Sequence, residues 1–387
     1  LYDRIVTSGH FAHNKFVVVC DTGGRPQRVL SGSTNWTKTG LCTQANNAVI
    51  VDNPDLAADF LNEWKLLKAA GNGYPDSLAQ ANSTAKTIEV DGCRITQWFA
   101  PTSGAQDLGY ARQLINAAKD GILFLFFNPG AFVSPDEPTK GTLLQNILVR
   151  HQDGNPNSDL ELYMRGVVNQ EIAGLTCPTT ESTSAASKYM TLDPSAVTNP
   201  VTLFSRGDRP PQRLTHESMV PKNIKTTFHN WAEEMLGSGV HIHSKVIVLD
   251  PFGKNPVVMT GSHNLGYKAS SKNDDNLMIV EGNAPLAAAF AANIIAIYQT
   301  YRWNAYVEAH RQDPHVWHGL VDSDSWQDSY LKGDDLAELK FWMGEPPSPT
   351  AVPVATSVRS VRTPSATKAT KNAPTKKPAP ARKKVTC

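Results

Sequence analysis

The chain has 387 residues, 40% hydrophobic and 19% charged, which supplies apolar material for two or three folded units and excludes a wholly disordered polypeptide. Its net charge of +1 conceals a split: nine of the 37 basic residues and none of the 36 acidic ones fall in 346–387, so the tail carries +9 and the body −8. No run approaches the roughly 18–20 apolar residues of a bilayer span, and five scattered cysteines without a CxxC pair offer neither a disulfide scaffold nor a zinc knuckle.

In chain order, His13-Asn14-Lys15 leads into the β-branched run FVVVCD, Gly32-Ser33-Thr34-Asn35 ends a second short strand, and Asn46-Asn47 opens a third, AVIVD. An amphipathic helix is expected from Pro54 to Ala70. Residues 90–240 then offer strands at 94–99, 122–127 and 160–165 and helices at 105–119 and 142–150. The first set of blocks returns as His243-Ser244-Lys245-VIVLD, Gly261-Ser262-His263-Asn264, Asp275-Asn276-LMIVE and a helix from Ala284 to Tyr301. His-to-Gly spacings are 19 and 18, and the Asn of GSxN precedes the later Asn by 12 in both copies. Four blocks in one order make an internal duplication, and the alternation of strands with helices predicts α/β layers. Beyond Pro346 the Pro, Ala, Thr, Ser and Lys composition, without an aromatic residue, predicts a disordered tail.

The repeated blocks hold a kit for phosphate esters. Lys offers a point cation to phosphoryl oxygens, Asn and backbone amides add donors, and His can attack phosphorus or carry a proton near neutral pH. Period-2 alternation puts His243 and Lys245 on one face of their strand, so two such faces meeting across a pseudo-twofold axis would set two His and two Lys around one phosphate. His241 with His243 lacks a third metal ligand at a recognisable spacing. His10 and His263 are read as flanking the pocket, Trp98, Trp303, Trp317, Trp326 and Trp342 as packing residues, and Cys20 and Cys42 as buried thiols.

The pattern HxKxxxxD followed by GSxN, present twice, resembles the phospholipase D superfamily, of a bacterial type. The second copy matches at His243, Lys245, Asp250, Gly261, Ser262, Asn264 and the acidic Asp275. The first matches at His13, Lys15, Ser33 and Asn35, and departs at Cys20, with Asp21 one residue late, and at Asn46, where an acidic residue is usual. The resemblance covers roughly 10–70 and 90–310 and implies a bilobal α/β/α sandwich with a pseudo-twofold repeat and both motifs in one site. Only twelve residues precede His13, so the first lobe is expected to be incomplete and the chain N-terminally truncated, with the edge and apolar face of the strand at 16–19 uncovered.

The expected layout is the C-terminal half of a first lobe at 1–84, a second lobe at 85–312, a helical extension at 313–345 and the basic tail at 346–387. The resemblance implies a catalytic set of His13, Lys15, Asn35, His243, Lys245 and Asn264, supported by Ser33, Ser262, Asp250 and Asp275, with neither metal nor cofactor. In it His13 is the nucleophile that forms a phosphohistidine, and His243 protonates the leaving oxygen. Asp250 is read as a structural ion-pair partner, and the late Asp21 as accommodated by a bulge. The expected activity is hydrolysis or transfer of phospholipid head groups. The alternatives are a nucleic-acid phosphodiesterase gripped through the basic tail, which would equally suit an anionic surface, and a non-catalytic phosphate-binding protein. Compartment and oligomeric state stay open.

Overall fold

The computed structural model describes residues 2–134, 137–151, 156–159, 162–169, 175–176, 190–191, 242–309 and 323–344. The basic tail, Cys177, His241, Trp317 and the side chain of Trp303 lie outside the described residues. The fold is α/β, as the alternation of blocks predicts.

Two sheets carry the two copies. The first is antiparallel, β2(Phe16–Cys20)-β3(Pro26–Gly32)-β4(Ala48–Val51), preceded by the short β1(Phe11–Ala12) and followed by α2(Pro54–Ala70). A five-residue helix, α1(Lys38–Cys42), joins β3 to β4, and α3(Asp76–Ala81) follows α2. The second sheet has the order β5(Lys86–Val90)-β6(Cys93–Ala100)-β13(Asn273–Glu281)-β12(Val257–Gly261)-β11(Val246–Leu249)-β7(Gly121–Phe126)-β8(Tyr163–Val168). Its helices are α4(Gln106–Ala117), α5(Leu143–Leu148), α6(Tyr267–Lys272) and α7(Ala284–Ala309), and two residues each form β9(Leu175–Thr176) and β10(Met190–Thr191). The order β11-β12-β13 repeats β2-β3-β4, so the duplication in sequence is a duplication of topology.

The helices start where side chains can cap them. Asn53 Oδ1 accepts from Leu56 N (2.8 Å) ahead of α2, and Asn283 Oδ1 accepts from Leu286 N (3.0 Å) ahead of α7, with proline in the first turn of both. Helix α2 is wedged between the sheets: Phe60 meets Phe16 of the first (5.0 Å between centroids) and Phe99 of the second (4.9 Å), both edge-to-face. Leu56 and Ala57 join the same cluster, against Ile95, Met278 and Val280. Full burial of each large side chain here stabilises by about 1.5–3 kcal/mol. Helix α7 covers the rest of this face, and α4 with α5 covers the opposite one.

Two segments tie the ends down. Ahead of β1, the Arg4 guanidinium grips both carboxylate oxygens of Asp274 (2.7 and 3.1 Å) and the carbonyls of Gly71 and Gly73. Beyond α7, the helix α8(Gly333–Trp342) stacks Phe341 on Tyr163 (4.2 Å), while Glu338 pairs with Arg165 (3.0 Å) and accepts from the Tyr163 hydroxyl.

Some boundaries move. The last strand of the middle region, expected at 160–165, is Tyr163–Val168, and 160 and 161 lie outside the described residues. Helix α7 runs to Ala309, past Tyr301. Cys20 and Cys42 are exposed rather than buried: Cys20 ends β2 where the register shifts against β3, and Cys42 ends α1, of which Gly40 is the buried residue.

Candidate active site

Each His-x-Lys segment begins where its lobe crosses to the other. Strand β1 runs parallel to β13, and His13 N bonds Asp274 O (3.1 Å). Correspondingly, Ile242 bridges in parallel to Ala45, and His243 N bonds Ala45 O (2.9 Å). Each motif is thereby inserted against the GSxN and Asn block of the opposite copy.

Glycine is required where each GSxN block closes on the paired Asn block of its own copy. A Cβ on Gly32 would lie 2.1 Å from Asn47 O, and one on Gly261, at φ +146°, would lie 2.3 Å from Asn276 O. The serine that follows does the same work twice: Ser33 Oγ donates to Asn46 Oδ1 (2.8 Å) and accepts from Asn47 N (3.0 Å), while Ser262 Oγ donates to Asp275 Oδ1 (2.6 Å) and accepts from Asn276 N (3.0 Å).

The exchanged residues orient the imidazoles. His13 Nδ1 lies 2.7 Å from Asp275 Oδ1, and His243 Nδ1 lies 2.9 Å from Asn46 Oδ1. An ionised carboxylate only accepts, so His13 carries its hydrogen on Nδ1. Asn46 Nδ2 donates to Gly40 O (2.9 Å), which fixes the amide oxygen as the atom that faces His243 and gives that ring the same tautomer. In the neutral form of either ring, Nε2 is therefore the lone-pair nitrogen. Both lysine amines fold back on their own motif, Lys15 onto His13 O and Lys245 onto His243 O (2.7 Å).

Electrostatics separate the halves. Burial and the neighbouring Lys245, Lys15 and His13 pull His243 down to about 2, so its ring is neutral. Burial drives Lys15 down to about 8, partly offset by Asp275, and drives Lys245 well below its ordinary value. Asp275, wholly buried, is held below the usual carboxylate range because the attraction and hydrogen bond of His13, helped by His263 and Lys15, outweigh its desolvation. Asn273 Nδ2 supplies a further hydrogen bond to it (3.0 Å).

Of the ten residues singled out, His13, Lys15, Ser33, His243, Lys245, Ser262 and Asp275 are joined at this junction by hydrogen bonds. Asn35 lines a cleft with Ala12, Asn14, Lys15, Phe16 and Trp36, and Asn264 takes the equivalent place after β12. Asp250 stands at the far end of β11, where its carboxylate accepts from the backbone amides of Lys119, Asp120 and Gly121 in place of the expected ion pair. In the first copy a register shift at Val19/Cys20 lets Asp21 cap its own turn through Gly23 N and Arg25 N. Of the two flanking histidines, His10 stacks on Tyr74 and bonds Lys272 O. His263 is buried behind the site, its Nε2 3.0 Å from Asp107 Oδ2 and its Nδ1 accepting from Leu265 N.

Three contributors escaped the sequence reading. Phe127 lies 4.6 Å from the His243 ring and under the Lys245 amine (4.7 Å), Trp36 walls the cleft, and Asp107 steadies His263. Trp36 carried a signal, being next to Asn35; the other two gave none.

Residues 197–298 match the family described as "Cardiolipin synthase, PLD-like domain". No curated protein matches the sequence. Among solved structures the chain is similar to phosphatidylserine synthase from Haemophilus influenzae Rd KW20 (12% identity, TM-score 0.40, 73% of this chain and 61% of that one). It is also similar to Nuc, a phospholipase D family member from Salmonella typhimurium (15%, 0.27, 54% and 95%), and to NucT from Helicobacter pylori (12%, 0.30, 54% and 97%). The chain thus spans about three fifths of the length of the first of these.

Proposed function

We propose, for a chain that carries a phospholipase D-like domain, that the junction of its two copies is a phosphodiesterase site working by double displacement through His13. The observation that carries this reading is the reciprocal exchange that fixes Nδ1 of both imidazoles and leaves both Nε2 lone pairs for chemistry. His13 Nε2 attacks phosphorus, the bond to the leaving oxygen breaks, and a phosphohistidine holds the remaining ester until water or an alcohol displaces it. His243, with its Nε2 lone pair free, is the group available for the proton transfers that accompany displacement. Lys15, Lys245, Asn35 and Asn264 supply the charge and donors that stabilise the crowded phosphorus, and the anionic diester in turn compensates the buried ammonium groups.

Phospholipid is the substrate class favoured here. The cleft wall is an exposed Trp36, and Phe11 and Leu41, close by in sequence to His13 and Asn35, are also exposed. Aromatic and aliphatic side chains of this kind suit a lipid interface, and the body's net −8 argues against a nucleic-acid groove, which needs clustered Lys and Arg. The test uses phosphatidyl-p-nitrophenol and thymidine 5′-(p-nitrophenyl phosphate). Faster nitrophenolate release from the lipid, with phosphatidylethanol forming when ethanol is added, is expected. Turnover of the nucleotide alone overturns the lipid assignment. Turnover of neither, with no acid-labile adduct on His13, leaves phosphate binding without catalysis.

A further inference from the structure

The two exchanged residues are not equivalent. His13 faces a carboxylate, and His243 faces the carboxamide of Asn46. We propose that Asn46 is a specificity-determining, positioning residue that confines the first displacement to phosphodiesters whose leaving group departs as a weakly basic anion, such as a phenolate or a phosphate, and assigns His243 to the second displacement as general base.

An alkoxide leaving group, as from choline or glycerol, must be protonated as it departs, so the acid has to be an imidazolium before the step begins. Among the described residues, the groups that face His243 oppose that charge: Lys245 on its own strand, Lys15 and His13 from the other copy, and the Phe127 ring beside it, with a Ser33 main-chain contact acting the other way. A carboxylate at 46 would supply the missing anion, as Asp275 does for His13. Asn46 keeps the orientation and omits the charge. Desolvation agrees in direction, since His243 is buried and neutral.

The chemistry balances without an acid in the first step. The His13 Nε2 pair forms the P–N bond, the P–O bond breaks, and its electron pair leaves on an oxygen stable as an anion. In the second step neutral His243 takes the proton of the attacking water or alcohol at Nε2, the new P–O bond forms, the P–N pair returns to His13, and the proton passes to solvent. A neutral imidazole already carrying its hydrogen on Nδ1 is ready for that task. The same site is therefore suited to moving a phosphatidyl group from an activated donor to an alcohol.

The inference rests on the double-displacement reading, and its test separates the two. The full chain and Asn46→Asp are compared on phosphatidyl-p-nitrophenol and phosphatidylcholine, which deliver the same phosphatidyl group and differ in the leaving group alone. In the unaltered protein kcat/KM for the nitrophenyl ester should exceed that for the choline ester by at least about 10³-fold at pH 7, the size of an absent general acid. Asn46→Asp should narrow the ratio at least about tenfold and move the alkaline limb of the choline-ester profile upward by about one pH unit, because an anion beside His243 retains its proton to higher pH. A ratio below about ten in the unaltered protein overturns the inference, whether or not the variant folds, and so does a folded Asn46→Asp with the ratio unmoved. If the lipid pair is inert, thymidine 5′-(p-nitrophenyl phosphate) against thymidylyl-thymidine reads the same ratio, and cleavage of none of the four esters overturns both the inference and the double-displacement reading.

Discussion

Ile50 and Ile279 occupy equivalent places in the two copies, three residues after the paired Asn47 and Asn276, yet the first is 61% exposed and the second 0%. Val17 and Val19 differ in the same way from their counterparts Ile247 and Leu249. In the second copy these positions belong to the face that α4 and α5 cover. In the first, the corresponding face of β2-β3-β4 has no helix on it, and neither β2 nor β4 has a further strand partner among the described residues. The opposite face of the small sheet is fully packed, on α2. One copy is thus stabilised from two sides and the other from one, while each still supplies the junction with the same serine bridge and with a residue that faces the other's imidazole, Asn46 in one and Asp275 in the other. Site geometry depends on the shared interface; it does not require the outer layer.

The largest expected effect tests whether the halves act as a unit. His13→Ala should lower kcat at least about 10³-fold and abolish the acid-labile adduct, and His13→Ala with His243→Ala should be scarcely worse, as measured on the nitrophenyl ester. Multiplying effects would mean that the two histidines serve separate sites. Asp275→Asn makes the two junctions chemically alike. It should cost about 10²-fold in kcat/KM, because the His13 ring loses the anion that offsets the charge developing on it during attack.

Removing the outer layer's contribution gives the third contrast. Ile279→Ala should destabilise by about 2–5 kcal/mol in denaturant melts, whereas Ile50→Ala should stay within about 0.5 kcal/mol. Equal losses would show that Ile50 is covered in solution. The smallest effect lies under α2. Glu63 is buried, with Asn82 as its hydrogen-bond partner, and burial raises its carboxyl to about 8, above the unfolded value. The folded chain holds a proton there that the unfolded chain releases, so stability falls as pH rises from about 4.5 to about 8. The Tm advantage of Glu63→Gln should therefore grow across that window and vanish below it.

Much of this was readable from the residues, for a physical reason. A duplicated block leaves matching letters at matching spacings, and β-branched runs bounded by Gly and Asn fix strands locally; α2 falls at Pro54–Ala70 as its apolar period requires. The exchange between copies leaves no such mark. Asp275 supports His13 and Asn46 supports His243, each across a gap in sequence that no period spans, so the departure at Asn46 was visible in the first motif while the ring it affects was not. The pairing of β1 with β13 is equally silent, since two residues carry no alternation to read. Phe127 and Asp107 look like ordinary strand-end and helix residues until the chain is closed.

The exchange also sets when the site can exist. His13 gets its orientation from a residue 262 positions further along the chain, and His243 from one 197 positions earlier. During synthesis, every nascent chain that stops short of Asp275 holds a His13 ring with nothing to fix its tautomer, beside lysines that have not yet been buried. On the proposed reading of His13 as nucleophile, that ring is therefore oriented only once both copies have left the ribosome and closed on each other. For the same reason, a fragment cut between the copies should recover activity only when its other half is supplied in trans.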